Sequence, residues 1–169
     1  MEALEAIMGR KSVREFEAKS VPEDALKKIL AAAMQAPSAR KGLPWHFVVV
    51  TDREKLAALR EFSPHAAMAA DAPLGILVCA DTTNEKSRGY FVQDCAAATE
   101  NLLLAAHALG LGGVWTGVHP NEARMEGFRK LFGIPAHVAP ISFAVIGYPK
   151  AKEAAQPRYD EERVHREKW

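Results

Sequence analysis

A long apolar segment in the middle of the chain places the strongest constraint on the fold. From Tyr90 to Leu109 the sequence predicts a single helix that is apolar around almost its whole circumference. A helix with so narrow a polar face must be covered on most of its sides. Because the chain has only 169 residues, we expect this helix to lie at the centre, covered both by its own chain and by a second subunit.

Three shorter apolar runs predict buried strands, and helical segments lie between them. The strands are Trp45 to Val50, Leu74 to Ala80 and Ile141 to Ile146. With 49% hydrophobic and 25% charged residues, the composition is that of a globular protein and excludes disorder, collagen and coiled coils. We therefore expect residues 1–169 to form one α+β or α/β domain, with Trp45 and Trp115 in its core.

Net charge and cysteine usage limit the partners and the compartment. A net charge of +1 provides no overall field to hold nucleic acid or an anionic membrane, which leaves room only for a local anion site. Cys79 and Cys95 lie in apolar runs, which is typical of buried thiols in a reducing compartment. Glu2 and Glu5 argue against a signal peptide, and no apolar run reaches the ~18 residues of a membrane span. We therefore expect a cytoplasmic protein.

The strongest local signal for ligand binding is the alternation of Arg10, Ser12 and Arg14 near the amino terminus. In an extended segment these side chains point to one side, and Lys11 and Val13 point to the other. Two guanidinium groups flanking a hydroxyl suit a phosphate, because they form charge-assisted and bidentate hydrogen bonds with it. Taken alone, so short a pattern also fits a solvated basic segment, and that alternative stays open at this point.

The chain lacks the side-chain clusters that most enzymes use for catalysis. Its six histidines are scattered without the spacing of metal ligands, and no Gly-x-Ser-x-Gly elbow occurs. We therefore predict no metal site and no catalytic side chain. An anion-binding protein without an evident acid, base or nucleophile is typical of an enzyme in which a flavin or similar cofactor carries the reaction.

Seven short motifs follow one another over nearly the whole chain. They are RKSVREF at 10–16, APSA at 36–39, PWHFVV at 44–49, QDCAAATENLLLAA at 93–106, GLG at 110–112 shortly before Trp115, IGYP at 146–149 and RVHREKW at 163–169. In this order they resemble the nitroreductase family of FMN-dependent oxidoreductases, in its compact form. The resemblance implies an α+β fold with a mixed β-sheet flanked by helices around a long buried central helix. It also implies an intertwined homodimer with FMN in the interface, in which the tail wraps the other subunit and buries Trp169.

The resemblance also assigns a cofactor site. Arg10 and Ser12, with Lys11 between them, bind the FMN phosphate, and Arg14 reaches the pyrimidine edge of the flavin ring. A cation there stabilises the anionic reduced flavin. The further FMN contacts that the resemblance implies are Pro37, Ser38 and Ala39 from the second subunit, the backbone of Trp115, Thr116 and Gly117 with an N–H near flavin N5, and Lys152 and Arg158 at the phosphate.

The loop after Pro37 departs from the family pattern. Lys41 and Leu43 stand where the family carries an Asn and a Gln before Pro-Trp, which bears on flavin affinity and on substrate choice. Lys41 either attracts an anionic substrate or a nicotinamide nucleotide, or it faces solvent. His65 and Met68 match positions that line the substrate pocket in some relatives.

The resemblance implies a ping-pong reaction. NAD(P)H passes a hydride to FMN and leaves, and a small acceptor such as a nitroaromatic or a quinone is then reduced on the same face. Two alternatives stay open: a different flavin reaction on the same fold, namely dehalogenation or breakdown of the flavin, and a non-catalytic flavin-binding or nucleotide-sensing protein.

Overall fold

A computed structural model describes residues 1–151 and 154–169 of the chain. Within this part, the helices are α1 (Ala3–Gly9), α2 (Glu23–Met34), α3 (Arg53–Ala58), α4 (Phe91–Ala108) and α5 (Glu122–Phe132). The strands are β1 (Trp45–Val50), β2 (Leu74–Asp81), β3 (Gly112–Gly117) and β4 (Val138–Gly147). The α+β class is confirmed, and so is the single long helix between Tyr90 and Leu109.

The four strands form one sheet in the order β1-β2-β4-β3, and every neighbouring pair is antiparallel. We expected a mixed sheet, and this expectation is wrong for the described strands. The only parallel pairing in the described chain is an isolated bridge between Ser12 and Gly113. The extended amino-terminal segment runs beside β3 too briefly to add a strand. The central strands β2 and β4 are buried almost throughout, which explains their unbroken apolar sequences.

Helices cover both faces of the sheet. On one face α2 and α4 pack through an apolar cluster that includes Ile29, Leu102 and Ile146. On the other face α3, α5 and a 3₁₀ segment close a second cluster around Leu56 and Phe128. The sheet thus separates two cores, and its free edge at β3 lies beside the candidate site described below.

The chain itself covers much of α4. Cys95, Ala98 and Leu102 are fully buried, and the hydroxyl of Thr99 forms a 2.7 Å hydrogen bond with the hydroxyl of Ser142 in β4. Within the described residues, none of the helices combines the length and the hydropathy that a bilayer span requires. The apolar character of α4 therefore reflects its central position in the fold.

Cys79 in β2 and Cys95 in α4 are free thiols buried between the sheet and the helix. Burial raises the pKa of each from 9.0 to about 12, because the thiolate would lose its hydration. Both thiols are therefore neutral at physiological pH. The stability that comes from keeping them neutral is complete below pH 9 and is lost as the pH rises towards 12.

We expect both thiols to resist modification while the protein is folded. At pH 8 an aromatic disulfide reagent should not react with the native protein within minutes, because the nucleophile is the thiolate and both sulfurs are covered. The same protein in guanidinium chloride serves as the control and should titrate both cysteines at once. Rapid reaction of either thiol in the native protein would contradict the described packing.

Candidate functional site

An open cleft of about 480 Å³ lies where the free edge of β3 faces the 3₁₀ segment Pro64–Asp71 and the start of α5. Six of the residues singled out in the sequence line it: Arg14, His65, Met68, Trp115, Thr116 and Gly117. Its remaining walls are formed by Pro64, Val114 and Arg124. The fold thus brings Arg14 together with residues that lie more than a hundred positions further along the chain, such as Gly117 and Arg124.

The free edge of β3 offers backbone groups to this cleft. The carbonyl of Gly113 accepts a hydrogen bond from the N–H of Val13 at 3.0 Å, and the carbonyl of Gly117 accepts one from Arg124 Nη1 at 3.1 Å. Both carbonyls therefore point away from β4. Because alternate residues of a strand direct their polar groups to opposite sides, Trp115 directs its N–H and carbonyl to the same free edge. The carbonyls of Gly113 and Gly117 are thus occupied, and the polar backbone groups of Trp115 face the cleft.

The side chains of β3 differ in their exposure. Trp115 is 38% exposed, so its expected place in the core is wrong, whereas Trp45 is buried as expected. The difference follows from strand position, since β3 lies at an edge of the sheet where one side of the strand has no neighbouring strand. Thr116 is buried and donates its hydroxyl to the carbonyl of Phe143 at 2.9 Å. Its hydroxyl is therefore occupied within the fold, and the same alternation directs the backbone polar groups of Thr116 to β4, where it pairs with Phe143.

The glycines of β3 serve two different purposes. A Cβ at Gly113 would lie 2.9 Å from Leu103 Cδ2, and one at Gly112 would lie 2.7 Å from Val13 Cγ2. These two glycines allow close packing of the strand. A Cβ at Gly117 would meet no heavy atom within 4 Å. The absence of a side chain at Gly117 therefore keeps the cleft open rather than packing the core.

A smaller groove of about 200 Å³ adjoins the cleft at Arg14, which lines both. Lys11, Ser12 and Glu15 line this groove, and the side chain of Ser12 is exposed. Arg10 lines neither space. Its Nε lies 3.0 Å from Glu100 Oε1 on α4, so the structure does not place the Arg10 guanidinium beside the Ser12 hydroxyl and the Arg14 guanidinium.

The loop that follows α2 lies away from the cleft of its own chain. Pro37, Ser38, Ala39, Lys41 and Leu43 are absent from the cleft lining. The loop is attached instead to the start of α4, because the N–H of Ala39 donates to Asp94 Oδ1 at 3.0 Å. Within the loop, the N–H of Leu43 donates to the hydroxyl of Ser38 at 3.1 Å. The two oxygens of the buried Asp94 thus differ, since Oδ2 has no hydrogen-bond partner.

The same loop contains a cluster of unusual backbone angles. Arg40, Lys41 and Leu43 have φ values of 50°, 54° and 49°, in the left-handed region that side chains disfavour. The side chains of all three residues are exposed. Asn84 Nδ2 donates to the carbonyl of Gly42 at 2.7 Å and holds the middle of the loop. Such strain persists only where surrounding contacts fix the backbone, which marks this loop as a functional candidate.

The remaining predicted residues belong to the carboxy-terminal tail. Arg158 is exposed, Lys152 lies outside the described residues, and Trp169 is fully exposed. No group of three or more His, Cys, Asp or Glu residues in the described part of the chain is placed to hold a metal ion.

Sequence reasoning missed three residues that shape this region: Arg124, Asp94 and Glu100. Arg124 reaches the cleft because α5 begins soon after β3 and is capped by Asn121, which accepts from the Arg124 N–H at 3.0 Å. Asp94 and Glu100 are the two acidic residues of a largely apolar helix. A carboxylate in a largely buried helix normally pairs with a specific partner. The two acidic side chains in this helix could therefore have been identified from the sequence.

Comparison with known proteins agrees with these features. The model of the nitroreductase family matches residues 7–73 and 63–148. A Methanothermobacter thermautotrophicus protein named "Putative NADH dehydrogenase/NAD(P)H nitroreductase" is 51% identical over 169 residues, spanning 100% of this chain and 88% of that protein. The crystal structure of a Parabacteroides distasonis protein of the same name has a TM-score of 0.95 at 41% identity, covering 99% of this chain and 98% of that one.

A second solved structure widens the comparison beyond proteins of that name. It is described as the FMN-dependent nitroreductase of Clostridium difficile R20291. Its TM-score is 0.90 at 27% identity, and the match covers 98% of this chain and 99% of that one. Family model, sequence relatives and solved structures agree over essentially the whole chain. The chain belongs to the nitroreductase family.

Proposed function

We propose that the protein is an FMN-dependent oxidoreductase that reduces a small acceptor with electrons from NAD(P)H. The observation that carries this proposal is the cleft beside the free edge of β3, where Arg14 and the backbone of Trp115 face one open space. The names of the related proteins, which include an NAD(P)H nitroreductase and an FMN-dependent nitroreductase, support the same assignment.

The residues of the cleft fit a flavin ring. A flavin is flat and carries polar atoms along one side, and the free edge of β3 offers backbone donors and acceptors in a line. Gly117 leaves space that a Cβ would fill. Arg14 supplies a cation at the point where the cleft meets the groove. The ring is thus assigned to the cleft, with Arg14 and the backbone of Trp115 and Gly117 holding it, and Thr116 belongs to the wall of the cleft.

The groove beside the cleft fits the phosphate end of FMN. Ser12 offers an exposed hydroxyl there, and Lys11 and Arg14 supply positive charge on the same walls. Charge-assisted hydrogen bonds to a phosphate are each worth about 1.5–3 kcal/mol. The resemblance also assigns Arg10 and Arg158 to the phosphate. Arg10 lines neither the cleft nor the groove, so its guanidinium has to turn away from Glu100 to reach the phosphate.

We also propose that the protein is an intertwined homodimer. Leu4 on α1 is 75% exposed, Tyr159 in the tail is 80% exposed and Trp169 is completely exposed. Met8 and Ile7 extend the exposed apolar face of α1. Apolar surface of this extent normally has a partner, and a second copy of the chain supplies one.

The homodimer also explains the position of the strained loop. Pro37, Ser38 and Ala39 do not line the cleft of their own chain, so they reach an FMN only if it is bound by the other subunit. The hydrogen bond from Ala39 to Asp94 fixes the loop for this contact. Lys41 and Leu43 are exposed on the same loop, where they would border the substrate space.

The chain's own residues position the reactants and set the charge around them. FMN, when bound, supplies the redox chemistry by accepting electrons from NAD(P)H and delivering them to the acceptor. The two guanidinium groups in the cleft, those of Arg14 and Arg124, are cationic, and no carboxylate of the described residues lines it. Such a cleft favours anionic nicotinamide nucleotides and acceptors with electron-rich oxygens, such as nitroaromatics and quinones. His65 and Met68 line the open side, where the two substrates bind in turn.

Anaerobic spectroscopy tests this function. We expect NADH or NADPH to bleach the flavin absorbance of the purified protein, and a nitroaromatic or quinone to restore it. Initial rates should give parallel double-reciprocal lines, as a ping-pong reaction requires. Bound flavin that neither nucleotide bleaches would indicate a binding protein instead of a reductase.

Replacing Gly117 should separate cofactor binding from folding. In the Gly117→Val variant the new side chain occupies the cleft without meeting the packed core, so the free energy of unfolding should change by less than about 0.5 kcal/mol. FMN affinity should fall by about tenfold or more, because the ring loses its space. Gly113→Ala is the matched control: its Cβ would press on Leu103, so it should destabilise the fold. Unchanged FMN affinity in Gly117→Val would contradict the assignment of the ring to this cleft.

A further inference from the structure

The ion pair between Arg10 and Glu100 links the amino-terminal motif to the central helix. Arg10 directly follows α1, and its backbone N–H donates to the carbonyl of Ala6 at 3.1 Å, which fixes the start of its side chain. Its Nε lies 3.0 Å from Glu100 Oε1. The side chains of Arg10 and Glu100 are 21% and 43% exposed. The guanidinium is therefore largely buried, and its counter-ion is reachable from solvent.

The contact is close but poorly aligned. Arg10 Nε is buried and forms no hydrogen bond of good geometry, although the carboxylate oxygen lies at hydrogen-bonding distance. Glu100 therefore compensates the charge of Arg10 without forming a well-aligned hydrogen bond with its Nε. A phosphate is a stronger acceptor for this guanidinium than the Glu100 carboxylate, because it carries more negative charge and can accept two parallel hydrogen bonds.

We propose that Glu100 acts as a substitute anion for Arg10 in the flavin-free protein and thereby lowers the affinity for the FMN phosphate. This inference rests on the proposed FMN site. When the phosphate binds, Arg10 exchanges a misaligned carboxylate for a phosphate, and the Glu100 carboxylate remains close to the new anion. The two negative charges repel each other in a partly buried setting, where screening is weak. Glu100 stabilises the empty protein at the expense of cofactor affinity.

The proposal predicts opposite effects of one substitution on stability and on affinity. In Glu100→Gln the side chain keeps its size but loses its charge, so Arg10 is left without a counter-ion in the flavin-free protein. The midpoint of thermal unfolding should fall by about 2–5 °C without flavin. The dissociation constant for FMN should decrease by about three- to tenfold. The affinity for riboflavin, which lacks the phosphate, should stay unchanged.

Equilibrium dialysis of the full-length protein against FMN and against riboflavin measures both affinities. Glu126→Gln is the matched control, because Glu126 pairs with Lys130 at 3.5 Å on the exposed face of α5 and should affect neither ligand. Glu100→Ala provides a second charge-removing variant, and circular dichroism checks that each variant is folded. Tighter binding of FMN alone in both Glu100 variants is the expected result.

The outcomes distinguish this inference from the function on which it rests. If wild-type protein binds FMN and Glu100→Gln binds it equally well or more weakly, the substitute-anion role is overturned while the FMN site stands. If riboflavin affinity rises together with FMN affinity, the effect does not act through the phosphate, and the inference is also overturned. If wild-type protein binds neither ligand, both the FMN site and this inference fall.

Discussion

Simultaneous replacement of Arg10 and Arg14 by alanine is expected to abolish the retention of FMN. The variant loses two guanidinium groups, one beside α4 and one at the junction of cleft and groove. At about 1.5–3 kcal/mol for each charge-assisted hydrogen bond, the combined loss is about 3–6 kcal/mol, or roughly 10²–10⁴-fold in the dissociation constant. Flavin absorbance after gel filtration and equilibrium dialysis against FMN measure the effect.

The fold should survive this double substitution, because Arg14 is exposed and the Glu100 carboxylate that loses Arg10 is itself partly exposed to water. Far-ultraviolet circular dichroism should match the wild-type spectrum. The matched control is Arg60→Ala combined with Lys130→Ala, which removes the same charge from exposed positions outside the cleft and the groove. Equal FMN content in the wild type and in the Arg10 and Arg14 double variant would refute the phosphate assignment.

Phe128→Ala is expected to cause the largest loss of stability. Phe128 is completely buried, and its ring centroid lies 5.2 Å from that of Phe62 and 5.4 Å from that of Phe143. Removing a ring of this kind costs about 3–5 kcal/mol, which is a large part of the ~5–15 kcal/mol that stabilises a domain. Urea unfolding followed by circular dichroism measures the change.

The same substitution should also weaken the cleft. Phe62 packs on Phe128 and directly precedes the segment that carries His65 and Met68, so the wall of the cleft loses its support. Phe128→Leu fills most of the space and should cost less than about 1.5 kcal/mol. A loss below about 1 kcal/mol in Phe128→Ala would show that this aromatic cluster does not support the fold.

Local sequence patterns were sufficient to place most secondary structure. The run from Trp45 to Val50 is β1 with the same bounds, and the long apolar helix differs from α4 by a residue at each end. Unbroken apolar runs predict buried strands, and apolar residues at helical spacing predict helices. The pairing of the strands could not be predicted in this way, because it joins β1 to β2 and β3 to β4 across long stretches of chain. The mixed sheet that the resemblance implied differs from the sheet of the described strands, which pair only antiparallel.

The candidate site was predictable only where a motif keeps its residues close in the sequence. The resemblance assigned Arg14 to the cofactor and His65 and Met68 to the substrate pocket, and the structure places all three along one cleft. Nothing local indicated that Arg124 completes its wall, since it reaches Gly117 only through the turn between β3 and α5. The positive φ angle of Lys41 could not be predicted from the sequence either, because glycine is the residue type that indicates this conformation.

Absorption spectroscopy combined with sedimentation velocity on the purified full-length protein tests the central claim most directly. The account predicts a yellow protein that sediments as a dimer and carries an FMN in each cleft between the β3 edge and Arg14. A colourless monomer that takes up no added FMN would contradict it.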